Sequence, residues 1–432
     1  MYKSLITKSA NYAQKQLNST IDLGCHIPRI RHVLFLENST NSVLIAGTYV
    51  PSLTTITYAC PKGLFFDGDH STNTCYGDWI NSHPECTEIC PPVAHDHTVK
   101  LNCNYKRKKI SCDKPFRPGT IIKISCAFMY QKPLNVHVHD KIQCQSDGDW
   151  DHSVFKCKQI CGIFDKELSN EKNQLANIYR APWHIAMYHT TYDKTMYKFI
   201  CAGTLVKSRV VMSVAHCFWP DIRLEVFDKG IYSEYKIVAG KLFQDYYSNK
   251  DKGLIQETEI MDVTIPVQYE GQTYDYVSDI AIILLKDHII FTNHIRPACL
   301  LWQPYEKKNL PENKEGRIAG WALLNFDEMD KGIRSIQYIS VNECKNYTTV
   351  YKVSSDKFCT KLGKENNICS SGTGLLIPED INGTTLYNLW GILSLDVTGS
   401  PRDKCSNSVV AFSNVQWYES LIETIINEKF NL

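Results

Sequence analysis

Three short stretches in the second half of the chain decide how it is read: Ser213-Val214-Ala215-His216-Cys217, Ser278-Asp279-Ile280-Ala281-Ile282-Ile283-Leu284-Leu285 and Cys369-Ser370-Ser371-Gly372-Thr373-Gly374-Leu375-Leu376. In the first, a histidine follows the strand-like run Val210-Val211-Met212 and abuts a cysteine. A cysteine held in a disulfide fixes the imidazole in place, as a general base requires. Alone, the same word reads equally well as a packed structural histidine. In the second, a single carboxylate opens the longest apolar run, Ile280 to Leu285. A buried aspartate there can orient an imidazole and stabilise its cation. The third stretch sets hydroxyls among glycines, where a nucleophile is expected.

Around these words lies an ordinary globular composition. The chain has 432 residues, 43% hydrophobic and 22% charged, a length that suggests about three domains. Lys plus Arg is 47 and Asp plus Glu is 46, a balance that excludes a strongly basic nucleic-acid binder or an acidic solvating protein. The longest apolar run falls far short of the ~18 residues a membrane span needs.

Cysteine is the informative count: there are 18. So many thiols point to an oxidising compartment. Zinc is the alternative, but the chain has no C-x₂-C pair. Four N-x-S/T sequons, at Asn18, Asn38, Asn346 and Asn382, agree with secretion and are the expected glycosylation sites. Residues Met1 to Gly24 hold no apolar core of a signal peptide, so the chain is expected to begin inside a longer one, with 1–24 as an N-terminal remnant.

Spacing divides the cysteines into three groups, each even in number, as self-closing domains require. The first is Cys25, Cys60, Cys75 and Cys86. The second is Cys90, Cys103, Cys112, Cys126, Cys144 and Cys157. The third is Cys161, Cys201, Cys217, Cys299, Cys344, Cys359, Cys369 and Cys405. The first two rhyme: CYGDWINSHPEC ends one and CQSDGDWDHSVFKC the other, each with a Gly (Gly77, Gly148) and a Trp (Trp79, Trp150). Units so small have too little core to stand alone, and disulfides around a buried Trp are the usual remedy. From Cys161 the texture changes to sparse cysteines, recurrent β-like runs and one helix-like stretch from about Val415 to Asn427, where Trp417, Leu421, Ile422, Ile425 and Ile426 recur at helical spacing.

Residues 25–86 and 90–157 resemble sushi (complement control protein) modules. Residues 161–432 resemble a trypsin-like (S1) serine protease domain, with His, Asp and Ser in the order of the chymotrypsin-like branch. Further words carry the likeness: Ala181-Pro182-Trp183-His184, Cys201-Ala202-Gly203-Thr204-Leu205, Ile295-Arg296-Pro297-Ala298-Cys299, Gly320-Trp321, Asp356-Lys357-Phe358-Cys359 and Gly391-Ile392-Leu393-Ser394. The combination is similar to the modular serine proteases of arthropods, which start extracellular immune cascades. The implied fold is all-β: two disulfide-rich β modules, then a two-barrel domain with a C-terminal helix. The implied catalytic residues are His216, Asp279 and Ser371. The implied disulfides are Cys25–Cys75, Cys60–Cys86, Cys90–Cys144, Cys126–Cys157, Cys161–Cys299, Cys201–Cys217, Cys344–Cys359 and Cys369–Cys405, with the left-over Cys103 and Cys112 joined to each other.

Against that pattern the nucleophile word is degraded. The family reads Cys-x-Gly-Asp-Ser-Gly-Gly-Pro, and this chain reads Cys369-Ser370-Ser371-Gly372-Thr373-Gly374-Leu375. With a two-residue deletion Ser371 takes the nucleophile position, the preferred alignment because it keeps Ser-Gly-x-Gly-Leu. Without a gap Thr373 takes it. Both lose the aspartate that, in the family, receives the amino group freed by activation cleavage. The cleavage word is also missing: Ser169-Asn170-Glu171-Lys172-Asn173-Gln174 stands in its place. An oxyanion-hole donor is worth roughly 3 to 4 kcal/mol, so such losses matter. The substrate pocket departs too, with Asn367 at its floor, where trypsin-like enzymes carry Asp, and Ser394-Leu395-Asp396 at its wall, where Asp396 replaces a glycine.

The expectation is a secreted protease homologue, catalytically impaired, acting as a regulatory or recognition component of an extracellular, innate-immune type of proteolytic cascade, with other extracellular proteins as partners. The alternative is an active endopeptidase using His216, Asp279 and Ser371. No cofactor is expected. His95-Asp96-His97 and His137-Val138-His139-Asp140 each set two imidazoles on one strand face, which exposed strand histidines explain more simply than a metal. The basic run Lys106-Arg107-Lys108-Lys109 reads more readily as a solvated loop than as a site for a polyanion.

Overall fold

The computed structural model describes residues 24–62, 64–67, 70–134, 136–164, 179–191, 193–218, 229–307, 315–321, 331–339, 343–344, 346–347, 353–362, 370–397 and 409–430. Among them regular structure is almost all strand, with one α-helix near the C-terminal end. The chain forms two compact units, Met1–Ala127 with Lys132–Lys158, and Phe128–Gln131 with Gln159–Leu432.

The first unit repeats one design. A four-stranded antiparallel sheet takes the order Val43–Leu44, Leu34–Glu37, Thr55–Ala59, Thr72–Thr74. The second copy takes the order Lys108–Lys109, Val99–Tyr105, Ile121–Cys126, Lys141–Gln143. Strand alternation is clean: in Ile121–Cys126, Ile122 and Ile124 are buried while Ile121, Lys123 and Ser125 face out. Two disulfides staple each copy, Cys25–Cys75 with Cys60–Cys86, and Cys90–Cys144 with Cys126–Cys157. Cys103–Cys112 adds a third bond to the second. The two tryptophans play one role: Trp79 Nε1 donates to the His26 carbonyl (2.9 Å) and Trp150 Nε1 to that of Pro91 (3.0 Å). Gly77 and Gly148, two residues before each Trp, have φ of +77° and +84°, the left-handed region only glycine enters without strain.

The second unit holds two β layers, whose strands we number from His184. The first layer comprises β1 (His184–Thr190), β2 (Tyr197–Lys207), β3 (Val210–Ser213), β4 (Tyr235–Ala239), β5 (Gln256–Thr258), β6 (Ile260–Thr264) and β7 (Ala281–Leu285), in the order β5-β4-β1-β2-β3-β7-β6. Only Glu259 separates the two edge strands β5 and β6, so the sheet curls until its edges approach. The second layer is a closed six-stranded barrel of β8 (Glu315–Trp321), β9 (Lys331–Ile339), β10 (Lys357–Lys361), β11 (Gly374–Ile381), β12 (Thr384–Asp396) and β13 (Val409–Asn414). Closure removes the exposed edges an open sheet would carry.

Strands β3 and β7 explain the unbroken apolar run in the sequence. Val211, Ala281, Ile283 and Leu285 face the core of the first layer. Val210, Met212, Ile280 and Ile282 face a second core, shared with Leu389, Ile392 and the C-terminal helix. Both faces are dry, so no polar alternation survives. Helix α1 (Glu419–Phe430) adds Ile422, Ile425 and Ile426 to that core at i, i+3, i+4 spacing. The helix begins later than the sequence suggested, because Val415–Tyr418 is a 3₁₀ turn whose amide at Gln416 is capped by the Asn414 side chain. The tighter turn changes the phase. Trp417 therefore leaves the buried stripe, 38% exposed, and meets Tyr305 edge-on instead.

Phe128–Gln131, which lies between the cysteines of the second module, belongs to the second unit. Met129 is buried in the first-layer core, Tyr130 stacks on Phe291, and the Arg296 guanidinium lies 5.3 Å over the Phe128 ring. Cys161–Cys299, Cys201–Cys217 and Cys344–Cys359 complete the eight bonds described, and no described cysteine is free. Cys369 and Cys405 lie outside the described residues.

After β4, one buried ion pair organises the loop from Gly240 to Leu254. Lys241 Nζ lies 2.6 Å from Asp251 Oδ2, with both side chains at most 1% exposed. The same ammonium donates to the Asp245 carbonyl, and Asp251 Oδ1 accepts from the amides of Leu242 and Phe243. Removing one partner strands the other charge, a loss of about 3–5 kcal/mol. Lys241→Met should therefore destabilise the second unit by about that amount in urea unfolding, while Lys241→Met with Asp251→Asn, which removes the stranded charge and keeps an Oδ1 acceptor for both amides, should recover part of it. A single variant as stable as wild type would show that the pair contributes nothing.

Candidate active site

The catalytic-type residues are placed by the seam between the two layers. β3 ends at Ser213, whose hydroxyl donates to the Ala202 carbonyl (2.8 Å). A 3₁₀ turn, Ala215–Cys217, then presents His216, and Cys201–Cys217 ties that turn to β2. β3 pairs with β7 so that Ser213 faces Ala281, which brings Asp279 beneath the imidazole. Asp279 is fully buried and takes three hydrogen bonds on its carboxylate. The His216 amide donates to Oδ1 (3.0 Å), and His216 Nδ1 (2.8 Å) and Ser394 Oγ (2.5 Å) donate to Oδ2. Its main-chain carbonyl accepts from Ser413 Oγ (2.7 Å). With Nδ1 holding the proton, Nε2 is left as the base. Burial alone would raise the Asp279 carboxyl. The His216 charge and the hydrogen bonds of His216 and Ser394 outweigh it and hold the group below its ordinary value.

A second buried network secures the approach to Asp279. The Asp356 carboxylate accepts from the Ser278 amide (3.1 Å) and the Tyr418 hydroxyl (2.7 Å). Lys357 Nζ, fully buried, lies 3.5 Å from it and donates to the Tyr276 carbonyl (2.5 Å) and Ser354 Oγ. Burial pushes the Asp356 carboxyl up, but Lys357 and these donors hold it below its ordinary value. Burial, with Asp356 alongside, pushes the Tyr418 hydroxyl up. The segment so clamped is strained: Asp275, Tyr276 and Ser278 have φ of +51°, +55° and +60°. The Tyr276 ring stands edge-on to His216 at 5.9 Å.

Ser371 is half-buried in the turn before β11. Its carbonyl accepts from the Ala202 amide (2.7 Å), and the next amide, Gly372, donates to the Leu393 carbonyl (2.9 Å). Only glycine fits at 372: φ is +85°, and a Cβ there would lie 2.0 Å from the Ala202 oxygen. Among the described residues no hydrogen bond joins the Ser371 hydroxyl to His216. Thr373 is 1% exposed, and among the described residues neither its hydroxyl nor that of Ser370 has a partner.

Of the pocket residues, Asn367 lies outside the described residues. Ser394, taken from the sequence as pocket wall, turns inward to Asp279. Asp396 ends β12, half-buried, with one carboxylate oxygen shielded from solvent. Ser413, Tyr276 and the Asp356–Lys357–Tyr418 network escaped the sequence reading. Asn38, Asn346 and Asn382 are exposed, Asn382 at a hairpin tip with φ of +51°, and Asn18 is outside the described residues. The His137 and His139 rings lie 5.0 Å apart, and the His139 and His152 ring centroids are 3.6 Å apart with the planes tilted by 32°. Among the described residues the one close group of metal-type ligands is Cys201, His216 and Cys217, and its cysteines are bonded to each other.

A buried Asp–His pair between two β layers, a Ser-Gly turn at Ser371 and a C-terminal helix define a trypsin-type serine protease scaffold. The sequence model "Trypsin" matches residues 172–417 and "Sushi repeat (SCR repeat)" matches 90–157. The chain belongs to the trypsin family. It is similar to "Modular serine protease" of Drosophila melanogaster, 24% identical over 94% of this chain and 64% of the relative. It is similar to "Clotting factor C" of Tachypleus tridentatus, 25% identical over 72% of this chain and 30% of the relative. It is also similar to "Inactive serine protease PAMR1" of Homo sapiens, 23% identical over 88% of this chain and 58% of the relative. The chain thus spans less than two thirds of each relative's length.

Both depressed carboxylates give a signed pH dependence. Each contributes stability above its unfolded value, near 4, that is lost as pH falls through the lower folded value. The second unit should melt at steadily lower temperature from about pH 4 downward, and Ser394→Ala should move that loss to higher pH. Calorimetry across pH 7 to 2 checks this; identical acid limbs for wild type and variant would remove Ser394 from the account.

Proposed function

We propose that this protein is a secreted, catalytically impaired S1 protease homologue that acts through binding, as a regulatory or recognition component of an extracellular proteolytic cascade of the innate-immune kind. The observation that carries the reading is the contrast within one site. His216, Asp279 and Ser394 form an unbroken hydrogen-bonded chain, while the Ser371 hydroxyl makes no bond to the imidazole. A base accelerates attack only when the hydroxyl lies within about 3 Å of it, and a misplacement of about 1 Å costs on the order of 10²-fold. Two residues fewer than the family pattern lie between Cys369 and Ser371, in the loop that would supply oxyanion donors. Eight disulfides and exposed sequons support the extracellular setting. The relative named as an inactive protease agrees with the reading.

The second reading, an active endopeptidase using His216, Asp279 and Ser371, has the intact Asp–His pair in its favour. A fluorophosphonate probe separates the two. No labelling of wild type, Ser371→Ala or Thr373→Ala is expected. Labelling of wild type that disappears only in Ser371→Ala would restore the enzyme, and loss only in Thr373→Ala would move the nucleophile.

An engineered cut before Asn170 should release no peptidase activity, because neither residue 370 nor 372 is an aspartate able to receive the new amino group. Turnover of a peptide ester after that cut would overturn the impaired reading.

A further inference from the structure

The structure assigns a sulfated-polysaccharide binding face to the second disulfide-rich module: the exposed side of its four-stranded sheet, gathered by strand register into a field of lysines. Lys123 pairs across the sheet with Asn102 on one side and Lys141 on the other, so all three point the same way. Lys100 faces Ser125, and Lys109 faces Asn104, on that same side. Lys100, Lys109, Lys123 and Lys141 are all exposed, and none forms an ion pair among the described residues. No Asp or Glu occurs in the four strands. From residue 97 to 139 there are nine Lys and Arg against one acidic residue, Asp113, in a chain of net charge +1.

Two features show that this charge is held in place at a cost. Lys123 and Lys141 are directly opposed like charges, which weakens a sheet. At the end of the field the hairpin turns through Lys106 and Arg107 with φ of +45° and +65°, conformations uncommon for such side chains. Cys103–Cys112 fixes that hairpin, and register places its Lys109, opposite Asn104, on the field.

The chemistry of the face selects its ligand. The rest of the surface is Asn, Ser, Gln and Ile121, without an aromatic ring among the outward residues, so neither bases nor neutral sugars find a stacking platform. A flat sheet cannot enclose a small anion. In an oxidising, extracellular setting the anionic leaflet of a membrane faces the other way. A linear chain bearing many sulfates meets all three conditions.

The test passes the full-length protein over immobilised heparin, with binding constants measured against salt. Wild type should bind with steep salt dependence. Lys100→Gln/Lys123→Gln/Lys141→Gln should weaken binding at least ~10-fold at physiological salt and reduce the log–log salt slope by roughly three. Lys198→Gln/Lys252→Gln/Lys307→Gln, on the second unit, should change neither. Lys123→Gln alone should bind more weakly yet melt at higher temperature, since it relieves the Lys141 repulsion, a result misfolding cannot imitate. Failure of wild type to bind, or equal loss in both triple variants, would overturn the site. Undiminished binding to desulfated heparin, or equal binding to duplex DNA or phosphatidylserine vesicles, would overturn its assignment to sulfated glycans.

Discussion

One buried carboxylate fastens the second unit together. Asp279 sits between the two β layers with no exposure, accepting two bonds from His216 of the first layer and one from Ser394 of the second, while its carbonyl takes Ser413. An ionised group in such a place is tolerated only when its lone pairs are filled. The partners therefore hold one another: loss of His216 or Ser394 leaves Asp279 short of donors, and loss of the Asp279 carboxylate leaves three donors, two of His216 and one of Ser394, without their acceptor. The Asp356 cluster repeats the arrangement one step back along the chain, at Ser278.

This coupling bears on what an intact Asp–His pair means. In an enzyme the pair is read as catalytic equipment. Here the same geometry is also the joint between layers, and its removal would cost folding stability whether or not any bond is cleaved. Ser371 has no such structural role for its hydroxyl. Its main chain is bonded, through Ala202, and its neighbour Gly372 is fixed by the close approach of the Ala202 oxygen, but among the described residues the Oγ makes no hydrogen bond to His216. On the proposed function, a scaffold released from catalysis would keep His216 and Asp279, which the joint needs, while the nucleophile word drifts.

What the sequence made legible was local or periodic. Ala-His-Cys and Asp-Ile-Ala are short words, the cysteine groups are a matter of spacing, and the apolar stripe of α1 repeats at helical intervals. Ser394 and Ser413 were opaque because they reach Asp279 from 115 and 134 residues away, and nothing in their neighbourhoods marks which face of β12 or β13 they occupy. The lysine face was hidden for the same reason. The run from Lys106 to Lys109 stands out by eye, yet Lys100, Lys123 and Lys141 are scattered until register places them side by side. Trp417 shows the opposite error, a helical period continued back through a turn that has a different one.

Under the proposed function, the question is what the residue preceding Ser371 would offer to an amino group freed by cleavage. Ser370 is buried and among the described residues its hydroxyl has no partner, so the place holds a neutral, desolvated group. An α-ammonium entering such a place gives up its hydration, at several kcal/mol, and only an opposite charge repays that. A hydroxyl can accept one hydrogen bond, worth about 1 kcal/mol net, which falls short of the debt. The amino group freed by a cut would stay in water, and the turn around Ser371 would keep the form set by Ala202, Gly372 and Leu393.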